Sequence, residues 1–380
     1  MIAFLAFCTL AAAVWYLHFA LAHRAWRRLA AHTANEIDLQ YLRIEDYFGR
    51  SFRAKLGEWL RLPEAPDSTP QLRAIDKGSE RILALGSSAC PPQRLSEHIL
   101  VVQGDFRAGS GCYFTREIYV AGNCEIGSDA RLQAIAVDGS LRLGSGVVVR
   151  RWVDASGAVH VGRDSRIDSR LTSRTSITLA PGARVLSAYA PEVSTEGRTE
   201  DPIIGFSRPA VALEIPPQIQ PRKLPSVEGF HPRLLRQISA DTWVYRGDLR
   251  LSIPLHLRAK LIVHGDCVLA RGSYLEDDLK AIGSMVVGAG SRCQGAVASD
   301  QDVVLEEGVL FEYLIYANRQ IILRQGVRGY GERPVAASAG QYLWAEPNVV
   351  VRGKLAAGLH VIAVPQGLRL EDLGTGTGAG

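Results

Sequence analysis

Apolar residues recur in i, i+2 pairs along most of this chain, and the pairs return every eighteen residues. Counting from Gly247, the second place holds Leu249, Cys267, Met285, Val303 and Ile321, and the fourth Leu251, Leu269, Val287, Leu305 and Leu323. The tenth place holds Leu257, Leu275, Cys293 and Phe311, and the fourteenth Leu261, Leu279, Val297 and Ile315. Steps of two are strand alternation, not helical spacing. A fixed period of this length marks a solenoid, whose units bury apolar residues only by stacking. The expected fold is all-β, a triangular parallel β-helix with three short strands per coil.

Glycines punctuate the repeat. Gly272, Gly290, Gly308 and Gly326 keep the period at one corner, and Gly247, Gly265 and Gly283 keep it at another. The same template, with one slip to seventeen, fits an earlier stretch starting from Gly104, Gly122, Gly139, Gly157 and Thr175. There the corner reads Gly111, Asp129, Gly146, Asp164 and Gly182, turn formers throughout. Two blocks follow, residues 97–189 and 241–365. Between them, residues 190–240 carry Pro191, Pro202, Pro209, Pro216, Pro217, Pro221, Pro225 and Pro232, an extended connection rather than coils. It would let block 2 either continue block 1 or fold back beside it. After Gly326 the register is expected to decay into irregular closing coils, and residues 366–380 read as a glycine-rich tail.

The amino-terminal quarter follows a different pattern. Met1 to Ala22 holds no acid, lysine or arginine, and Arg24, Arg27 and Arg28 follow at once. Twenty-two helical residues span about 33 Å, enough for a bilayer core of roughly 30 Å. The expectation is a single-pass anchor in the inner (cytoplasmic) membrane, those arginines flanking it on the cytoplasmic side with the β-helix. A cleaved signal peptide, with Ala20-Leu21-Ala22 as its cleavage site, would need a basic n-region that this segment lacks. Residues 23–96 form a juxtamembrane lead-in. Within it Glu36 to Leu62 has helical spacing, with Leu39, Leu42, Tyr47, Phe52, Leu56, Trp59 and Leu60 broadly on one side. This short amphipathic helix should pack on the solenoid, cap an open coil end or lie on the membrane.

Composition narrows the function. A net charge of +4 over 380 residues does not point to nucleic acid. Arg150, Arg151, Arg163, Arg166, Arg170 and Arg174 make block 1 locally basic, a solvated face or one suited to lipid headgroups or an acidic protein. Six cysteines are scattered without metal-ligand spacing, and Cys124, Cys267 and Cys293 fall in inward columns. The histidines are dispersed. His160 shares an outward column with Arg107, Glu125, Arg142 and Thr178, and has no evident orienting partner. No phosphate loop, dinucleotide fingerprint or nucleophile elbow is present, so no catalytic residue, cofactor, metal or small-molecule substrate is assigned. One surface column breaks the alternation. Val268, Val286, Val304 and Ile322 fall between inward columns and should form an apolar stripe on the outer wall. Block 1, the proline-rich connection, the amphipathic helix or another subunit would have to cover it.

Turns such as Val102-Gln103-Gly104-Asp105, Gly144-Ser145-Gly146 and His264-Gly265-Asp266, set in coils of this length, resemble those of the bactofilins, polymer-forming bacterial cytoskeletal proteins. The resemblance covers residues 97–189 and 243–328. It implies a right-handed triangular β-helix, no nucleotide cofactor, and end-to-end assembly into membrane-associated structures that organise cell shape, polarity or envelope growth. The chain departs from the family pattern in its split solenoid and its apolar amino-terminal segment. The function expected is a membrane-anchored, non-enzymatic scaffold that self-associates or recruits other envelope proteins. The alternative is a relative of the hexapeptide-repeat acyltransferases, since Ile126-Gly127, Leu143-Gly144 and Val161-Gly162 echo their motif; His160 would then be the general base.

Overall fold

The structure is a computed structural model that describes residues 44–59, 73–77, 80–85, 95–197, 211–218 and 223–365, with Tyr16 and His23 as single positions. The chain divides into two units, Met1–Tyr47 and Phe48–Gly380. Most of the first unit, including the expected anchor and Arg24, Arg27 and Arg28, lies outside the described residues. No helix among the described residues is long and apolar enough to cross a membrane.

The second unit is a β-solenoid of about 14 turns. Each coil contributes strands to three parallel ladders. In block 2 one ladder runs Met285↔Val303↔Ile321, a second Leu275↔Cys293↔Phe311, and a third Leu279↔Val297↔Ile315. These inward residues are fully buried and belong to one cluster that runs through both blocks. The expected ladders are therefore present. Cys124, Cys267 and Cys293 are buried within them, and burial pushes the Cys267 and Cys293 thiols up to about 12.

The two glycine series serve different physical needs. Gly290 has φ of 64° with nothing within 4 Å of an added Cβ, so its conformation is the constraint. Asp129 and Asp164 meet the same demand in block 1, at φ of 58° and 54°. Gly283 is a matter of space. A Cβ there would lie 2.8 Å from Asp266 N, because the Asp266 carboxylate crosses between coils to accept from Ser284 N at 3.0 Å.

Three features refine the sequence reading. Block 1 begins before residue 97, since Glu80–Leu85 stacks in parallel on Ile99–Val102 and pairs antiparallel with Arg73–Lys77. Past Gly326 the eighteen-residue register slips in one irregular closing coil, as expected, yet stacking continues through it. Gln320 pairs with Tyr342 and Ile315 with Ala337, so one coil is four residues longer, after which Trp344↔Ile362 restores eighteen. Phe311 still pairs with Gly329 at the old spacing, which places the insertion between Gly329 and Val335. The proline-rich connection, for its part, supplies the strand Leu213–Ile215 and, through Leu235–Gln237, an antiparallel partner for Thr242–Tyr245.

The blocks neither continue one another nor lie side by side. The last strand of block 1, Arg184–Thr195, pairs antiparallel with the last strand of block 2, Val350–Ala363. The pairing reaches all three walls, with Val185 opposite Val361, Ala188 opposite Leu355 and Val193 opposite Val351. Thr195 secures one corner, donating to Glu346 O at 2.7 Å and accepting from Val349 N at 3.1 Å. Each block thus covers the open edge that the other would expose. Both outer ends are amino-terminal ends.

One described helix, α1 (Tyr47–Trp59), packs on the wall of block 1. Leu56 is buried among Ile82, Ile99 and Val101, and Phe52 meets Trp152 edge-on at 5.5 Å. Arg53 ties the helix down through Asp138 Oδ1 at 2.6 Å, Val137 O at 2.9 Å and the carboxylate of Asp154. Gly49 sits over Asp154 where no Cβ would fit. Packing on the solenoid, one of the options for Glu36–Leu62, is thus seen for these residues; Leu39, Leu42 and Leu60 lie outside the described residues. Phe48, where the second unit starts, lies under Arg170, in a coil that pairs directly with the junction strand Arg184–Thr195.

Candidate interaction surfaces

Val268, Val286, Val304 and Ile322 stand in one outward column, in ladder register and each only half-buried. The long coil keeps the column going. Ile322 pairs with Trp344 and Trp344 with Ile362, so six apolar side chains stand in line. Sequence reading missed the last two because the four-residue insertion breaks the count; the signal available was alternation resuming in Tyr342–Ala345. The described parts of two candidate covers lie elsewhere. Helix α1 sits on block 1, and Leu213–Ile215 stacks on Leu255–Leu257, a different wall. At the junction Ile362 stands opposite Arg184, so the column is continued by Arg184, Arg166, Val148 and Arg131 of block 1.

The neighbouring wall of block 2 is polar and satisfied from within. His256 stacks on Tyr274 at 5.3 Å and its Nε2 lies 2.8 Å from Glu276 Oε1. Arg258 donates to Glu214 at 2.9 Å, Tyr274 Oη to Gln294 at 2.7 Å, and Arg292 pairs with Glu312. Side chains that answer one another along a ladder stabilise the wall. They leave little for a ligand.

Block 1 carries a shallow groove of about 400 Å³ along the column Arg107, Glu125, Arg142 and His160. Sequence gave His160 no partner, whereas the structure puts Glu196 Oε1 3.6 Å from its Nε2. The residues 160 and 196 come together only because Ser176–Leu179 stacks on the junction strand, which brings the end of block 1 round to the same wall. Among the described residues no cluster of His, Cys, Asp and Glu could hold a metal ion.

The outer end of block 2 is covered on each wall. Leu213–Ile215 and Leu235–Gln237 pair with two of its first strands, and Gly229 lies against the backbone of Arg250 at the third. Phe230, stacked on Tyr245 at 5.7 Å, and Trp243, bonded through Nε1 to Pro216 O at 3.0 Å, are buried beneath.

No family model, curated protein or solved structure matches the chain.

Proposed function

We propose that this chain is a membrane-anchored, non-enzymatic β-solenoid scaffold of the bactofilin kind, which self-associates or recruits envelope proteins along its walls. The observation that carries the reading is the outward column from Val268 to Ile362, an uncharged strip on a wall where water would otherwise meet charge. Monomers seldom leave such a strip bare. The resemblance supplies end-to-end assembly as the expected habit, and the antiparallel join of Arg184–Thr195 to Val350–Ala363 is an end-to-end contact made within one chain. The covering of block 2's outer end argues for association along the wall in preference to growth at that end. Met1 to Ala22 with Arg24, Arg27 and Arg28 is the proposed anchor in the inner membrane. The test is the size of the purified full-length chain in detergent, by sedimentation and electron microscopy. Species larger than a monomer support the self-associating scaffold, and a monomer at every concentration removes it.

A second reading, acyl transfer at His160, draws on its approach to Glu196 within the block 1 groove. Acyl-CoA binding that vanishes in His160→Ala would support it, and the absence of any binding would end it.

A further inference from the structure

The apolar column has flanks, and they are not symmetric along its length. Alternation sets residues i−2 and i+2 on the same wall as each column member. Four successive rows therefore read Ser284-Val286-Gly288, Asp302-Val304-Glu306, Gln320-Ile322-Arg324 and Tyr342-Trp344-Glu346. The second row is acidic on both sides, whereas Arg324 of the third is held by Glu346 of the fourth at 2.8 Å, a pair that is neutral as a unit. The first row is small throughout, whereas the fourth is bulky, with Tyr342 and Trp344 in contact at 5.7 Å and Trp344 Nε1 bonded to Gln320 Oε1 at 3.2 Å.

We propose that two copies of this chain pair through this wall about a two-fold axis perpendicular to the solenoid axis, centred between Val304 and Ile322. This deepens, and rests on, the self-associating reading above. An axis of that kind lays the rows against one another in reverse order. Val304 of one copy meets Ile322 of the other, and Glu306 comes up to the ion pair that Arg324 makes with Glu346 of its own chain. The small row Ser284-Val286-Gly288 receives the bulky row Tyr342-Trp344-Glu346. At the ends Asp266 meets His360. An isologous contact must complement itself in this way.

The alternative axis, along the solenoid, sets each row against its own copy. Asp302 would then face Glu306, and Trp344 would face Trp344 while the small rows left a gap. Like charges opposed and bulk against bulk both disfavour that arrangement. The strip is roughly 24 Å long and about 13 Å wide. That is well below the ~800 Å² per partner of a stable complex, so the pairing is weak and concentration-dependent. Confinement of anchored chains to a membrane would raise it.

Sedimentation velocity of the full-length chain in detergent, over two decades of concentration, should show a reversible monomer–dimer equilibrium. Val304→Asp should weaken it at least tenfold. Glu306→Arg, at an outward corner where folding is not at stake, should weaken it several-fold. Mixed Val286→Cys and Trp344→Cys chains should form an inter-chain disulfide on mild oxidation, whereas Val304→Cys should not cross-link to itself. Self-association unchanged by both Val304→Asp and Glu306→Arg would overturn this pairing and leave the scaffold reading standing. Efficient Val304→Cys self-cross-linking would overturn the reversed geometry. A chain that stays monomeric would remove both.

Discussion

Arg184 stands opposite Ile362 across the junction, so a basic column in block 1 and an apolar column in block 2 form one line on one wall. The line exists only because the blocks meet at their carboxyl-terminal edges. His360, two residues from Ile362, feels the consequence. Burial, and after it the charges of Arg166 and Arg184, hold its imidazole below the usual value, and its Nδ1 has no hydrogen-bond partner among the described residues.

The first prediction concerns pH. His360 takes its proton less readily folded than unfolded, so between its ordinary value of 6.5 and its lower folded one the unfolded chain binds more protons. Its contribution is complete above the ordinary value and is lost as pH falls through that window. Thermal unfolding at about pH 5 should therefore lie below that at neutral pH, and His360→Gln should remove part of the difference. An equal pH response in the variant would show that His360 is not involved.

A second prediction tests the junction. Leu355 is 1% exposed and lies opposite Ala188. Leu355→Ala should cost about 3 kcal/mol in urea unfolding, within the usual range for a buried leucine. Because the cluster is shared, wild type should lose both blocks in one transition. Leu355→Asp should separate them into two.

Helix α1 provides a third. Asp154 is 4% exposed and also accepts from Thr172 Oγ1 at 2.5 Å. Arg53→Ala would leave that carboxylate buried without its cation, at a cost of about 3 kcal/mol. Limited proteolysis should then cut near α1 faster than in wild type, while the coils of block 2 stay protected. Arg53→Lys should recover only part of the loss, since one ammonium cannot reach Asp138, Asp154 and Val137 O together.

The corner positions provide a fourth. Gly290→Val forces a branched residue into the left-handed region and should cost about 2 kcal/mol. Gly290→Asp should cost less, because Asp129 and Asp164 already occupy equivalent corners of block 1. For Gly283 the order differs. Even Gly283→Ala meets the backbone of Gly265 and Asp266, at 2.8 Å from each, so every side chain should be costly there. Melting temperatures of the three variants decide the matter.

Ladders such as Leu279, Val297 and Ile315 were legible in the sequence because stacking repeats one local alternation many times over. What stayed hidden depends on a single long-range event. The meeting of Ala188 with Leu355 leaves no periodic mark, since antiparallel edges need only be apolar on one face, as every coil already is. Arg53 is one of several cations in its helical segment, and nothing near it in sequence announces Asp138 or Asp154. Trp344 and Ile362 were lost to an insertion confined to one coil.

Most repeat arrays begin and finish with the chain, so trimming either terminus shortens the stack by a rung. Here the last described strand, Val350–Ala363, is a keystone at the centre. A premature stop or a protease acting shortly before it would spare both outer extremities and yet sever the halves. Carboxyl-terminal damage, usually the mildest insult to such an architecture, becomes the one that divides it.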